Sequence, residues 1–194
     1  KRVDEKSKGR IAYGYMKNMG QGELDQFIID MTQELNKKDA LIFDLRYNTG
    51  GNVHDEVLKF LSQKTYLNWK YREGSLTQQS NFSPSDKPIV LLINEQSLSD
   101  AEMTAQGFKA LKLGTIIGNE TYRWIIFTSG VGLVDGSSVR MPGWGCYSLD
   151  GKDLEMSGVQ PDIKIINSFE DKINGRDPQV DKAVDEILKQ LGKK

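Results

Sequence analysis

The 194-residue sequence has one cysteine, one histidine, almost no net charge and no long apolar run. Each shortage removes a class of explanation. With Cys146 alone, no disulfide can form within the chain, and the redox compartment stays open. A formal charge of -1 leaves no basic surplus to displace phosphate counterions, which argues against nucleic acid as the main partner. No apolar stretch approaches the roughly 18 residues that a membrane-spanning helix needs, and no signal-peptide pattern occurs within these residues. The first residue is Lys1 rather than Met, so we expect an upstream region, and the compartment is not legible. The lone histidine, His54, precedes Asp55 and Glu56 without the His-Glu-x-x-His spacing of a helical zinc site. It reads as a solvated surface residue, and Cys146 as a small core residue. Asp150, Asp153 and Glu155 do not follow a calcium-loop pattern and read as a polar turn. No metal or cofactor is expected.

What is present suits one domain: 38% hydrophobic and 27% charged residues over a length that can bury a sizeable core. Residues 1–9 are charged and aperiodic and read as a linker from an upstream region, leaving 10–194 as the domain. IAYGYM predicts a strand. In the segment from Gly22 to Lys37, Leu24, Phe27, Ile28, Met31 and Leu35 recur at helical spacing. ALIFDL and PIVLLIN are short, nearly continuous apolar runs, as expected of strands buried on both faces. Helices are expected after each, over HDEVLKFLSQK and SDAEMTAQGFKALK, and GTIIG reads as a third buried strand. A surface loop is expected over 74–87, and a meander or hairpins over 124–141. Asp177 as N-cap, Pro178 at the first turn and Gly192 at the end frame a last helix, with Val180, Ala183, Val184, Ile187, Leu188 and Leu191 as its apolar stripe. Alternating strands and helices imply crossover units on a largely parallel sheet with flanking helices, an α/β fold with a short antiparallel meander.

Two segments carry chemistry. INEQSLSDAE, at 93–102, passes from a buried strand through a polar turn into a helix. A serine at that junction lies near unpaired helix N–H groups, which favour developing negative charge and suit an acyl-transfer nucleophile. Serine is also a preferred N-cap, and a capping role alone accounts for the residue type. DLRYNTGG, at 44–51, ends another strand, where ligands bind in open α/β sheets. Its glycines allow close approach and could present N–H donors, or they serve only the turn. One loop donating N–H groups beside another carrying a serine would make an oxyanion-hole arrangement.

These motifs resemble the tricorn and C-terminal-processing peptidases, which share a crotonase/ClpP-like α/β fold. The resemblance covers the chain from about Gly9 onward, through D-L-R-x-N-x-G-G at Asp44–Gly51 and N-x-x-x-x-S-x-x-E at Asn94–Glu102. It implies Ser99, not Ser97, as the nucleophile, with the Asp100 N–H and that of Gly50 or Gly51 as the oxyanion hole. The processing branch pairs its serine with a lysine in a T-Y-G-K-type turn, but Thr121-Tyr122-Arg123-Trp124 puts tryptophan there. Arg123 cannot replace it, because a guanidinium stays protonated. The tricorn-like branch uses a histidine assisted by a glutamate in E-x-x-G-V-x-P-D. Glu155-Met156-Ser157-Gly158-Val159-Gln160-Pro161-Asp162 matches that element, and Gly175-Arg176-Asp177-Pro178-Gln179 resembles tricorn's last helix. The family's histidine lies upstream, before a PDZ-like domain. The implied function is a catalytic-serine peptidase domain acting on peptides or unfolded protein, dependent on that upstream region, with a homo-oligomer left open. A peptide-binding member without activity is the first alternative, and a crotonase-like acyl-CoA enzyme the second.

Overall fold

Strands β2 (Ala40–Asp44) and β5 (Ile89–Ile93) contain no exposed residue, which requires helices on both faces of the sheet they form. In the computed structural model, which describes residues 1–35, 37–78 and 84–192, they occupy the middle of a five-stranded sheet. Its order is β1-β2-β5-β6-β9, with β1 at Ile11–Tyr15, β6 at Thr115–Gly118 and β9 at Ile163–Lys164, and every neighbouring pair is parallel. This is the sheet expected from the alternation of strands and helices.

Because side chains alternate along a strand, the sheet divides the core in two. Leu41, Phe43, Leu91 and Ile93 face helices α2 (Gln21–Leu35), α3 (His54–Leu61) and α4 (Asp100–Ala110), contributing to a cluster with Phe27, Val57 and Phe108. Ala40, Ile42, Val90 and Leu92 face the other way, against Val180, Ala183, Val184 and Ile187 of α7 (Pro178–Leu191). Helix α7 starts as its sequence implies: Pro178 is at the first turn and the Asp177 carboxylate accepts the Val180 N–H at 3.0 Å.

The expected linker at 1–9 is instead largely helical. Helix α1 (Arg2–Ser7) buries Val3 in the α7-side cluster, and Arg2 and Lys6 both reach Asp181 on α7. A six-residue helix is too short to persist by propensity, so its order comes from docking, which a local reading of the sequence does not reveal. Val3→Asp should therefore destabilise the chain by about 2 kcal/mol, roughly the value of one buried valine. An unchanged urea midpoint would show that α1 does not hold to the domain.

Three smaller departures concern short elements. A β3–β4 hairpin (Asn68–Lys70 with Leu76–Gln78) places its second strand inside the expected loop, of which residues 79–83 lie outside the described residues. Of the meander or hairpins expected over 124–141, one antiparallel hairpin forms, of β7 (Ile126–Gly132) and β8 (Ser138–Gly145), running past the expected end and standing apart from the main sheet. Helices α5 (Leu154–Ser157) and α6 (Phe169–Ile173) were not expected, since four or five residues show no usable periodicity. Among the described residues, no helix is long and apolar enough to cross a membrane.

Candidate active site

Strand β5 ends at Ile93, and six residues later Ser99 stands as the N-cap of α4. Its backbone, φ 55° and ψ -117°, lies where L-residues are strained, typically by 1–3 kcal/mol. Such a conformation persists only if neighbours hold it, and the loop is held at several points. Asn94 Oδ1 accepts the N–H groups of Tyr47 and Gln96, and the Asn48 carbonyl accepts the Leu98 N–H. Ser97, fully buried, donates its hydroxyl to the Leu45 carbonyl at 2.8 Å and accepts the Asn94 N–H. Ser97 is thus a strut between the two strand ends, which leaves Ser99 as the serine of the pair without that duty.

The strongest restraint is Glu102. Its side chain is buried, and its two oxygens accept four hydrogen bonds. The donors are the main-chain N–H groups of Ser99 (2.9 Å), Arg123 (2.8 Å) and Trp124 (2.9 Å) and the hydroxyl of Thr121 (2.6 Å). Thr121 Oγ1 in turn accepts the Val159 N–H, so one carboxylate ties the Ser99 turn to the 121–124 turn and to the segment after α5. The Ser99-x-x-Glu102 spacing is itself a capping-box pattern, and that signal could have identified this residue from sequence. The Thr-Tyr-Arg-Trp turn therefore supplies main-chain donors to Glu102, while the Trp124 ring is exposed and stacks on Tyr122 at 5.8 Å.

The glycine turn meets Ser99 directly. A Cβ on Gly50, where φ is 79°, would lie 2.8 Å from the Ser99 Cβ, so nothing larger fits there. Gly50 cannot serve as an oxyanion donor as expected, because its N–H is taken by Asn48 Oδ1 at 2.9 Å. Gly51 differs. Met19 donates to the Gly50 carbonyl and accepts from Asn52, so the Gly51 N–H points away from Met19. Among the described residues, neither the Gly51 nor the Asp100 N–H has a hydrogen-bond acceptor.

The Asp100 side chain does separate work. Its carboxylate accepts the N–H groups of Val53 (2.7 Å) and His54 (3.1 Å), capping α3, and meets His54 Nδ1 at 2.6 Å. His54 is thus half-buried and paired, not the solvated residue expected, because its partner lies 46 residues away. The hydrogen bond to Asp100 raises the His54 pKa above its ordinary value, against a smaller opposing effect of burial. The bond's stabilising contribution is then complete below the unfolded pKa of about 6.5 and is lost as pH rises through the higher folded value. Followed by urea unfolding, the stability advantage of the chain over His54→Gln should shrink as pH rises above the unfolded value of about 6.5. An advantage that grew with pH would contradict this pairing.

Ser99, Asp100 and Gly51 line one cavity of about 290 Å³, together with apolar Met103, Ile125, Ile126 and Phe127 and with Arg140. Glu155 is not brought to it. The residue is exposed at the start of α5, where its N–H donates to Asp153, and it is not among the cavity's lining residues. Cys146 packs against the core cluster, and burial pushes its thiol pKa up. Among the described residues, no three of His, Cys, Asp and Glu converge as a metal site.

The family profile described as "Peptidase family S41" matches residues 9–165, most of the chain. This chain belongs to peptidase family S41. The family is one of serine peptidases, and the curated relatives agree. The tricorn protease of Thermoplasma acidophilum is 32% identical over 191 residues, covering 97% of this chain and 18% of that protein. A tricorn protease homolog of Saccharolobus solfataricus is 33% identical over 192 residues, covering 97% and 18%. The crystal structure of the tricorn protease superposes with a TM-score of 0.85 at 30% identity, over 98% of this chain and 19% of that one. The photosystem II D1 C-terminal processing protease shares the fold, with a TM-score of 0.62 at 23% identity over 80% of this chain and 42% of that one. The chain spans about a fifth of the length of the tricorn relatives it matches.

Proposed function

We propose that this chain is the nucleophile-bearing domain of an S41 serine peptidase that cleaves peptide bonds through an acyl-enzyme. The observation that carries the reading is Ser99, held in a strained N-cap conformation at a cavity edge beside two N–H groups that have no acceptor among the described residues. Ser99 Oγ attacks the scissile carbonyl carbon while a base takes its proton, and the Asp100 and Gly51 N–H groups hold the resulting oxyanion. The base returns the proton to the leaving amine as the C–N bond breaks, and water then hydrolyses the ester. The base is a histidine supplied by an upstream region of the longer protein. The cavity's own lining holds neither histidine nor lysine, and His54 is committed to Asp100.

A peptide-binding member without activity is the second reading, favoured by Trp124 at the position where the processing branch has lysine. The two separate in one assay of peptide hydrolysis by this chain and by a form extended through the upstream region. General-base assistance typically contributes 10²–10⁴-fold, so the extended form should gain about that factor. Binding without turnover in the extended form would select the second reading.

A further inference from the structure

Among the described residues, the cavity beside Ser99 contains one charge with no counterpart. Of its ionisable lining residues, Asp100 is fully engaged by Val53 and His54, which leaves Arg140. Arg140 sits on β8 opposite Gly130, a residue with no side chain to meet it across the pair. Its guanidinium instead leans diagonally along the hairpin, and Nε donates to Thr128 Oγ1 at 2.8 Å. Thr128 lines the same cavity and follows a register shift at Phe127/Thr128, the kind of bulge that re-aims a side chain. One of five donors is thereby used to fix the orientation of the planar fork. Among the described residues, no carboxylate pairs with the remaining donors.

We propose that Arg140 is a specificity determinant that recognises a carboxylate on the bound peptide. The inference rests on reading this cavity as the peptide-cleavage site. The fork geometry suits bidentate carboxylate binding. The carboxylate can come from an aspartate or glutamate side chain or from the peptide's own C terminus.

The test measures binding, so that it does not depend on turnover. Acetylated, amidated fluorescent peptides share one sequence, with Glu, Gln or Lys placed at one position at a time, and a further Gln peptide keeps its free C-terminal carboxylate. By fluorescence anisotropy, the chain should bind its best Glu peptide at least about tenfold more tightly than the matching Lys peptide, equivalent to about 1.4 kcal/mol. Alternatively, it should bind the free-terminus peptide that much more tightly than its amide, which assigns Arg140 to the terminus. The preference should weaken as salt is raised. Arg140→Lys should keep its direction, Arg140→Gln should bring the ratio near one, and Arg140→Glu should reverse it. An equal preference in the wild-type chain and Arg140→Glu would overturn the proposal, as would no detectable binding of any peptide. Carboxylate-dependent binding that follows Arg140, without hydrolysis in the extended form, would uphold this inference and remove the peptidase reading.

Discussion

Ser99→Ala should lower kcat/KM for peptide hydrolysis by at least about 10³-fold in the form that carries the upstream region. Removing a nucleophile leaves only the catalysis that binding and oxyanion donors provide by themselves. The substitution deletes one oxygen and leaves the backbone bonds of the turn in place, including the Ser99 N–H to Glu102. Peptide affinity should therefore change little, and the loss should appear in kcat. Ser97→Ala provides the contrast. It removes the strut from Asn94 to Leu45, leaves the buried Asn94 N–H without its acceptor while the Leu45 carbonyl keeps the Asn48 N–H, and should cost about 1–3 kcal/mol of stability. If Ser97→Ala abolished turnover in a fully folded protein while Ser99→Ala did not, the two serines would have to exchange roles.

The second large effect is expected at Glu102, a buried residue that does not line the cavity. Glu102→Ala would leave three main-chain N–H groups and one hydroxyl without their acceptor in a buried place. Each such orphan typically costs about 1–3 kcal/mol, reduced where water or small shifts can reach it, so a loss of about 4 kcal/mol is expected in urea unfolding. Glu102→Gln keeps the volume but turns an NH₂ group toward donors, and should fall between wild type and alanine. Activity should fall further than the folded fraction explains, since the carboxylate restrains the strained Ser99 turn and misplacement by about 1 Å can cost 10²-fold. The readout specific to positioning is kcat measured under conditions where Glu102→Gln is fully folded. Unchanged kcat there would reduce Glu102 to a structural brace.

How much of this was legible in the sequence depended on distance along the chain. Continuous apolar runs at 40–45 and 88–93 identified the buried strands, because a strand covered on both faces has no polar alternation to lose. The Asp177-Pro178 start of α7 was equally plain, since its cap acts within three residues. The strand-turn-helix junction at 93–102 was legible within ten residues, but the choice of Ser99 over Ser97 came from the family resemblance. What escaped local reading was held from afar. Helix α1 exists through contacts with α7, some 180 residues later, and His54 acquires its partner from α4. The Gly50 N–H looked available as a donor, but Asn48, two residues earlier, closes on it, an Asx-type turn that Asn-x-Gly itself suggests. Arg140 sat in an expected meander, where no periodicity distinguishes the residue that faces a cavity. The Glu155 element matches the family pattern, yet its side chain lies exposed, outside the Ser99 cavity.

The central claim is that Ser99 is the nucleophile of this cavity, and covalent trapping tests it most directly. A fluorophosphonate reacts with an activated serine by forming an O–P bond as the P–F bond breaks, and peptide mass spectrometry then locates the adduct. In the extended form the account predicts one modified residue, Ser99, protected by excess peptide and lost in Ser99→Ala. An adduct on Ser97 or Ser157, or peptide hydrolysis that persists in Ser99→Ala, would contradict it.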